Sequence, residues 1–508
     1  MEVSCTKRSI EVERLVGGAS FQIPVRAEAA VPGAGRESVE TLMEDAFASV
    51  TGAEAQAGRV LVTGQVQCQA VYRLGEEGGL KALTARAGFE QAVDMEGAQP
   101  QMAVRARAAV EHVEAAYDNG HMVFQVTVAV MVRVRSLAPV EAVTEIAADE
   151  PVEALTSPVC SARTSAENSE TARLSDSVSL PGALHARVVL MQWAEPRVES
   201  AERDLGGVRV SGAVQVESLI ASSVAGRPVA LVRCQLPFEQ LVAMPDWLEG
   251  EPDCEAEVQD LNVEVEEGTE GGDAALKLEC ALQVTARLDG EDCVDAVSDA
   301  YVAGGGALAL TWEALTVCAG AACVQARETF RGALLLPEGA PGAGAALAAR
   351  VRPVVSGWEA ENGAGKAQGV LEATVLYMPS GGERLASVRT ELPFSIKLDA
   401  PAGEDAALWV TASEAEASAL MSDRMELKCV LTARGVSWKT METAVVTDAQ
   451  AAQAEPRRRG MGVYYPSAED TLWTVGRRYR IPLEQLKADN GGLAAASAGT
   501  PLFIRVRG

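Results

Sequence analysis

Histidine, aromatic side chains and positive charge are all scarce in this chain. Three histidines in 508 residues leave little material for His-dependent catalysis or His-rich metal sites. An aromatic content of 4% means that cores must be built mainly from Val, Leu and Ala. Forty-four Lys and Arg face 71 Asp and Glu, a net charge of −27. Phosphate binding needs clustered cations, so nucleic acid is excluded as the main partner. The opening MEVSCTKRSIEVERLV lacks the apolar stretch of a secretory signal, and the ten cysteines are therefore expected to be reduced, with no disulfide. Cys318 and Cys323 have no second pair at metal-ligand spacing, so neither metal nor cofactor is expected. The most apolar run, Val302 to Ala326, carries one charge (Glu313) but contains Gly304-Gly305-Gly306. Two strands and a turn suit it better than a spanning helix, and no membrane insertion is expected.

Catalytic patterns are missing as well. His112, His121 and His185 lie near no nucleophile motif, and the glycine run lacks the Lys of a phosphate loop. The carboxylates around 262–273 read as a solvated hairpin tip. An enzyme is not expected.

What the chain does contain is a long-period repeat. RVLVTGQVQCQAVYR from Arg59, GVRVSGAVQVESLIA from Gly207 and AQGVLEATVLYMPSGG from Ala367 each alternate around a glycine. Those glycines, Gly64, Gly212 and Gly369, are 148 and 157 residues apart. Phe89, Phe238 and Phe394 follow about 25 residues later, and Pro32, Pro181 and Pro337 precede at matching distances. Ala142-Val143, Ala296-Val297 and Ala444-Val445 close the units. Period-two alternation recurs over 123–134, 276–288 and 425–435, as half-buried strands require. Within these units one segment, Glu37 to Ala48, has helical spacing instead. The expected architecture is mainly β. Three tandem β-sandwich-like units span 1–148, 177–302 and 303–448, with a flexible Ser/Thr/Glu-rich connection over 149–176.

These markers resemble the sporulation-coat (SPOCS) domain found in tandem in Firmicute spore proteins, and LPEG…GVLEATVLYMPSGG…TELPF of the third unit is the nearest to it. The resemblance implies a non-enzymatic coat scaffold, made in the mother-cell cytoplasm and assembled on the forespore surface. Its implied partner is a coat base-layer morphogenetic protein, with self-assembly left open.

Past Ala454 the balance of charge reverses: from Pro456 nine Lys or Arg face four Asp or Glu, +5 against −32 for the rest. A basic linker (449–460, with Arg457-Arg458-Arg459) leads into 461–508. There a strand, a helix from Glu469 to Tyr479, a second helix from Leu483 to Asp489 ending at Asn490-Gly491-Gly492, and a closing strand are expected. This β-α-α-β order, with DTLW, RRY and PLFIRV, resembles a LysM domain. Glu469 and Gly476 depart from that family's usual Gly and Ala. The resemblance implies a groove for peptidoglycan glycan between Ser467, Glu469, Asp470, Thr471 and Leu472 on one loop and Asn490, Gly491, Gly499 and Thr500 on the other. Docking onto protein is the alternative, with Arg477, Arg478 and Arg480 as a charged rim and Leu472 and Trp473 for packing.

Overall fold

Alternation of small apolar and polar residues produces strands here, and they are long. The computed structural model describes residues 2–34, 38–75, 78–224, 226–266, 274–361, 364–382, 384–398, 406–453 and 460–506. The first unit contains β1 (Val3–Ala30), β2 (Val39–Gln56), β3 (Arg59–Leu74), β4 (Leu80–Asp94), β5 (Ala103–Asp118) and β6 (His121–Ala148). The second contains β7 (Val152–Ser179), β8 (Ala186–Asp204), β9 (Gly207–Val224), β10 (Arg227–Ala243), β11 (Glu251–Glu266) and β12 (Ala275–Val302). The third contains β13 (Ala307–Leu335), β14 (Ala343–Glu361), β15 (Ala364–Pro379), β16 (Ala386–Leu398), β17 (Ala407–Met421) and β18 (Arg424–Ala452). Each unit pairs its strands antiparallel in the same way. Its second, third and fourth strands form a meander (β2-β3-β4, β10-β9-β8, β14-β15-β16), and its last strand pairs between the first and fifth (β1-β6-β5, β11-β12-β7, β13-β18-β17).

Cross-strand register explains the sequence markers. Gly64 pairs with Phe89, Gly212 with Phe238 and Gly369 with Phe394. The three rings are buried and lie over the glycines; a Cβ on Gly212 or Gly369 would come within 3.0 Å of the ring and 2.0 Å of a carbonyl on the neighbouring strand. Only glycine admits both approaches. Bulges beside these glycines, between Val50/Gly52, Val198/Ser200 and Val355/Gly357, bend the neighbouring strand. The prolines follow the first strands, where the preceding Val31, Leu180 and Leu336 amides donate to Gly120, Ala274 and Asp423.

The first and last strands are long enough to serve two cores. Ile23, Val25 and Ala27 face the core of their own unit, whereas Ile10 and Val12 enter a shared cluster with Val140, Val159, Val294, Leu315, Val317 and Val445. A second shared cluster joins Leu42 and Met43 to Leu190, Met191, Leu219, Ala348 and Leu376. β4 packs on β8, β10 on β14 and β16 on β2, so an interface of one kind closes after three units.

Several expectations are corrected. The segment read as a helix over 37–48 is the start of β2, with residue 37 outside the described residues. A bulge between Thr41 and Met43 buries Leu42 and Met43 together and so mimics helical spacing. The supposed flexible connection, 149–176, is mostly β7; its polarity reflects an edge strand that buries little beyond Val159, Ser161 and Ala172. In the third unit the closing marker moves by one residue: Val445-Val446, not Ala444-Val445, matches Ala142-Val143 and Ala296-Val297. The bulge hydroxyls that follow, Thr144, Ser298 and Thr447, each donate to the partner strand's carbonyl at Thr6, Leu155 and Thr311. The expectation of no disulfide fails too: register places Cys160 opposite Cys293, and the two are bonded. Of the basic linker, 449–452 completes β18; 454–459, with the three arginines, lie outside the described residues, as does the tip at 267–273. Among the described residues no helix is long and apolar enough to cross a membrane.

Candidate functional site

Where the three units meet, residues at one and the same position have become unlike. Asp45 (β2), Trp193 (β8) and Arg350 (β14) each stand five residues before the valine paired with the marker glycine. Asp45 is 2% exposed and accepts from Arg350 Nε and Trp193 Nε1, both at 2.7 Å, while Arg352 also pairs with it. Burial opposes ionisation of Asp45, but the Arg350 and Arg352 charges outweigh it and hold the carboxyl well below its ordinary range. A second set repeats the pattern on β5, β11 and β17: Arg107 stacks 3.8 Å over Trp409 and lies 3.9 Å from Glu255. Three identical side chains at such a meeting point would place like charges or bulky rings together. In each set one acid, one arginine and one tryptophan meet instead.

The C-terminal segment folds around its own small core. β19 (Gly460–Tyr464) pairs antiparallel with β20 (Leu502–Val506), and α1 (Leu472–Tyr479) and α2 (Leu483–Asp489) lie between them in sequence. Leu472, Val475, Ile481, Leu486, Leu502 and Ile504 are buried together. α1 begins at Leu472, three residues later than expected, because Thr471 caps it reciprocally with Thr474. Asp470 instead orders the preceding loop, accepting from Ser467 N (2.8 Å), Ser467 Oγ (2.9 Å) and the Tyr464 hydroxyl (2.7 Å). These bonds, the Ser467 amide first, hold its carboxyl below the usual value. Asn490 ties the end of α2 to Phe503 of β20 through both its amide groups. The Gly499 amide donates to the Pro466 carbonyl, which brings the two expected loops side by side. Ser467, Glu469, Thr471, Gly491, Gly499 and Thr500 are exposed there, so the Glu469 carboxylate faces solvent, whereas Leu472 belongs to the core.

One face of this module is already occupied. Trp473 packs edge-on against Tyr301 of β12 and donates to Asp299, which also pairs with Arg477 at 2.7 Å. The Tyr301 hydroxyl donates to the Ile481 carbonyl at 2.8 Å; burial first, then Glu153 and Asp299, raises its pKa. A Cβ on Gly476 would lie 2.6 Å from that hydroxyl, which is the physical reason for glycine where the resemblance expects alanine. Trp473 is thus an anchor onto the second unit, neither module core nor partner contact. Arg477 is paired with Asp299, and Arg478 with Tyr464 and Asp470, while both side chains stay more than half exposed; Arg480 caps α1 in the left-handed conformation.

With this geometry described, comparison with known proteins adds one finding. Residues 37–118 match the family model described as SipL, SPOCS domain. No curated protein and no solved structure matches. The match supports a SPOCS-containing, sporulation-related protein. It falls on the first unit, not on the third, which was expected to lie nearest to the family's pattern. The matched SPOCS segment runs from the start of β2 through β5, and so includes Gly64, Phe89, Asp45 and Arg107. Neither triad was singled out from sequence. A signal existed: Asp45, Trp193 and Arg350 are spaced 148 and 157 apart, like the marker glycines, but charge complementarity between repeats is not a pattern one scans for. Among the described residues the one grouping of three metal-capable donors is Cys160, Cys293 and Glu291, and its two sulfurs are bonded to each other.

Proposed function

We propose that this chain is a non-enzymatic sporulation scaffold: three SPOCS-type units closed into one ring, carrying a LysM-type module that binds a coat base-layer morphogenetic protein. It would act from the mother-cell cytoplasm on the forespore surface and help to encase it in coat. The observation that carries this reading is the SPOCS match over 37–118, set in a strand order that recurs through residues 152–302 and 307–452. The buried charges support it, since Asp45, Trp193, Arg350 and Arg352 are engaged with one another across units. With α1 held against Asp299 and Tyr301, the partner face moves to the outer side of β19–β20. Met461, Val463 and Phe503 are exposed there beside Arg505. An interface of this kind is apolar at its centre with a cationic edge, suited to an acidic partner.

A fluorescent fusion followed through sporulation tests the reading. Wild-type protein is expected to ring the forespore. Deletion of 461–508, or Val463→Ser with Phe503→Ser, should abolish the ring while circular dichroism of the β units is unchanged. A second reading, binding of N-acetylglucosamine-containing peptidoglycan, is favoured by the adjacent exposed loops joined through Gly499 and Pro466. Localisation that survives the deletion, together with co-sedimentation of the full chain with peptidoglycan, would replace the first reading by the second.

A further inference from the structure

The two triads are built alike but are not equally complete. Asp45 is saturated by two arginines and an indole. Arg107, its counterpart on β5, has the Trp409 face and a 3.9 Å contact to Glu255, yet makes no hydrogen bond among the described residues. Nor does Arg434 of β18, whose Nε is buried without a partner, and nor does Glu257 of β11. All three residues are half-buried, and charges left unmet at such a place are met by solvent or by a ligand.

Arg107 and Glu257 line a cavity of ≈ 260 Å³, open on one side, between β2, β8, β14, β5, β11 and β17, the strands that meet from all three units. A second cavity of ≈ 250 Å³, lined by Arg434, shares Arg107, Glu195, Trp409 and Thr411 with the first. At ~30 Å³ per water the first alone has room for about eight waters, or one molecule of amino-acid size. Its chemistry selects further. A simple anion would meet Glu195 and Glu257 in the first cavity and Glu195 and Glu255 in the second; a simple cation would meet Arg107 in both and Arg434 in the second. Burial raises the pKa of Glu257, which Arg107 opposes, and lowers that of Arg107, which Glu255 and Glu257 oppose, so each sign gains from a partner of the other.

We propose that these two adjoining cavities together bind a small zwitterion: Arg107, which lines both, and Arg434 of the second receive its carboxylate, Glu257 of the first its ammonium group, and Trp409, which also lines both, packs against its carbon skeleton. The site exists only in the assembled ring, because the first unit supplies Arg107, the second Glu257 and the third Arg434 and Trp409. It is independent of the C-terminal module.

Isothermal titration of the full chain with glycine, L-alanine and L-glutamine tests this, with propionate and ethylamine as the two half-molecules. At least one zwitterion should bind saturably at millimolar concentration, at least about tenfold more tightly than either half-molecule. Glu257→Gln should weaken it by about tenfold while improving propionate, because the repelling charge is gone. Arg434→Gln should weaken both. Glu257→Gln keeps the side-chain volume, so the test survives if an arginine variant misfolds. No saturable zwitterion binding, or binding that Glu257→Gln leaves unchanged, overturns the proposal, as does a crystal structure grown with the amino acid that holds only water beside Arg107.

Discussion

Replacing Asp45 by Asn tests whether the three units form one cooperative structure. The carboxylate is nearly fully buried and touches groups from the second unit (Trp193) and the third (Arg350, Arg352). Unit charges ~4 Å apart at an effective dielectric of ~20 attract by about 4 kcal/mol. Removing one partner of a buried ion pair costs about 3–5 kcal/mol, since the remaining charge stays desolvated. Arg352 would keep Glu372 at 3.1 Å, but Arg350 would keep only the Trp193 face at 5.3 Å. Asp45→Asn should therefore lower the urea midpoint by an amount worth about 3–5 kcal/mol. Tryptophan fluorescence and far-ultraviolet circular dichroism, coincident in the wild type, should separate as the units uncouple. The folded-state pKa of Asp45 is depressed, so its contribution is complete above the unfolded value of ~3.9 and is lost as the pH falls through lower values. The gap between wild type and variant should accordingly shrink below about pH 4. Asp45→Leu combined with Arg350→Met should recover part of the loss. A cost under about 1 kcal/mol with coincident transitions would refute the reasoning.

Other expectations follow from the same geometry. Gly212→Ala or Gly369→Ala drives a Cβ into a neighbouring carbonyl and should cost about 1–3 kcal/mol in urea denaturation, and Phe238→Ala about 3–5; near-neutral values would mean that the Gly–Phe pairs are ornamental. Gly476→Ala and Tyr301→Phe should undock the C-terminal module, seen as faster proteolytic cleavage between Ala452 and Gly460 with the β-sheet signal intact; wild-type resistance in both would disprove the docking contact. Peptide mapping of alkylated, unreduced protein should recover Cys160 linked to Cys293. Burial pushes Cys280 and Cys429 up to about 11, so these thiols should alkylate slowly at pH 8; fast labelling of both, or a free Cys160, would contradict the structure.

Much of this protein was written locally. Alternation sets the strands, glycine and phenylalanine mark the cross-strand pairs, and Thr471 with Asn490-Gly491 bounds the two helices, because each depends on neighbours within a hairpin or a turn. Where a bulge broke the period, as at Leu42–Met43, or an edge strand buried little, as in β7, the local signal pointed to helix or linker. Everything that joins one unit to the next was decided only by tertiary structure. Register across 133 residues placed Cys160 against Cys293, and closure after three units brought Asp45, Trp193 and Arg350 to one point. The same closure left Arg107 lining two adjoining cavities, one with Glu257 and the other with Arg434. In the C-terminal module the sequence set the β-α-α-β order, but only its seating on Tyr301 revealed that Arg477 is already paired and that Gly476 is required by a contact rather than by the helix. Local order follows from what neighbouring residues do to the backbone; the meeting of distant charges depends on how the sheets close, which local patterning does not encode.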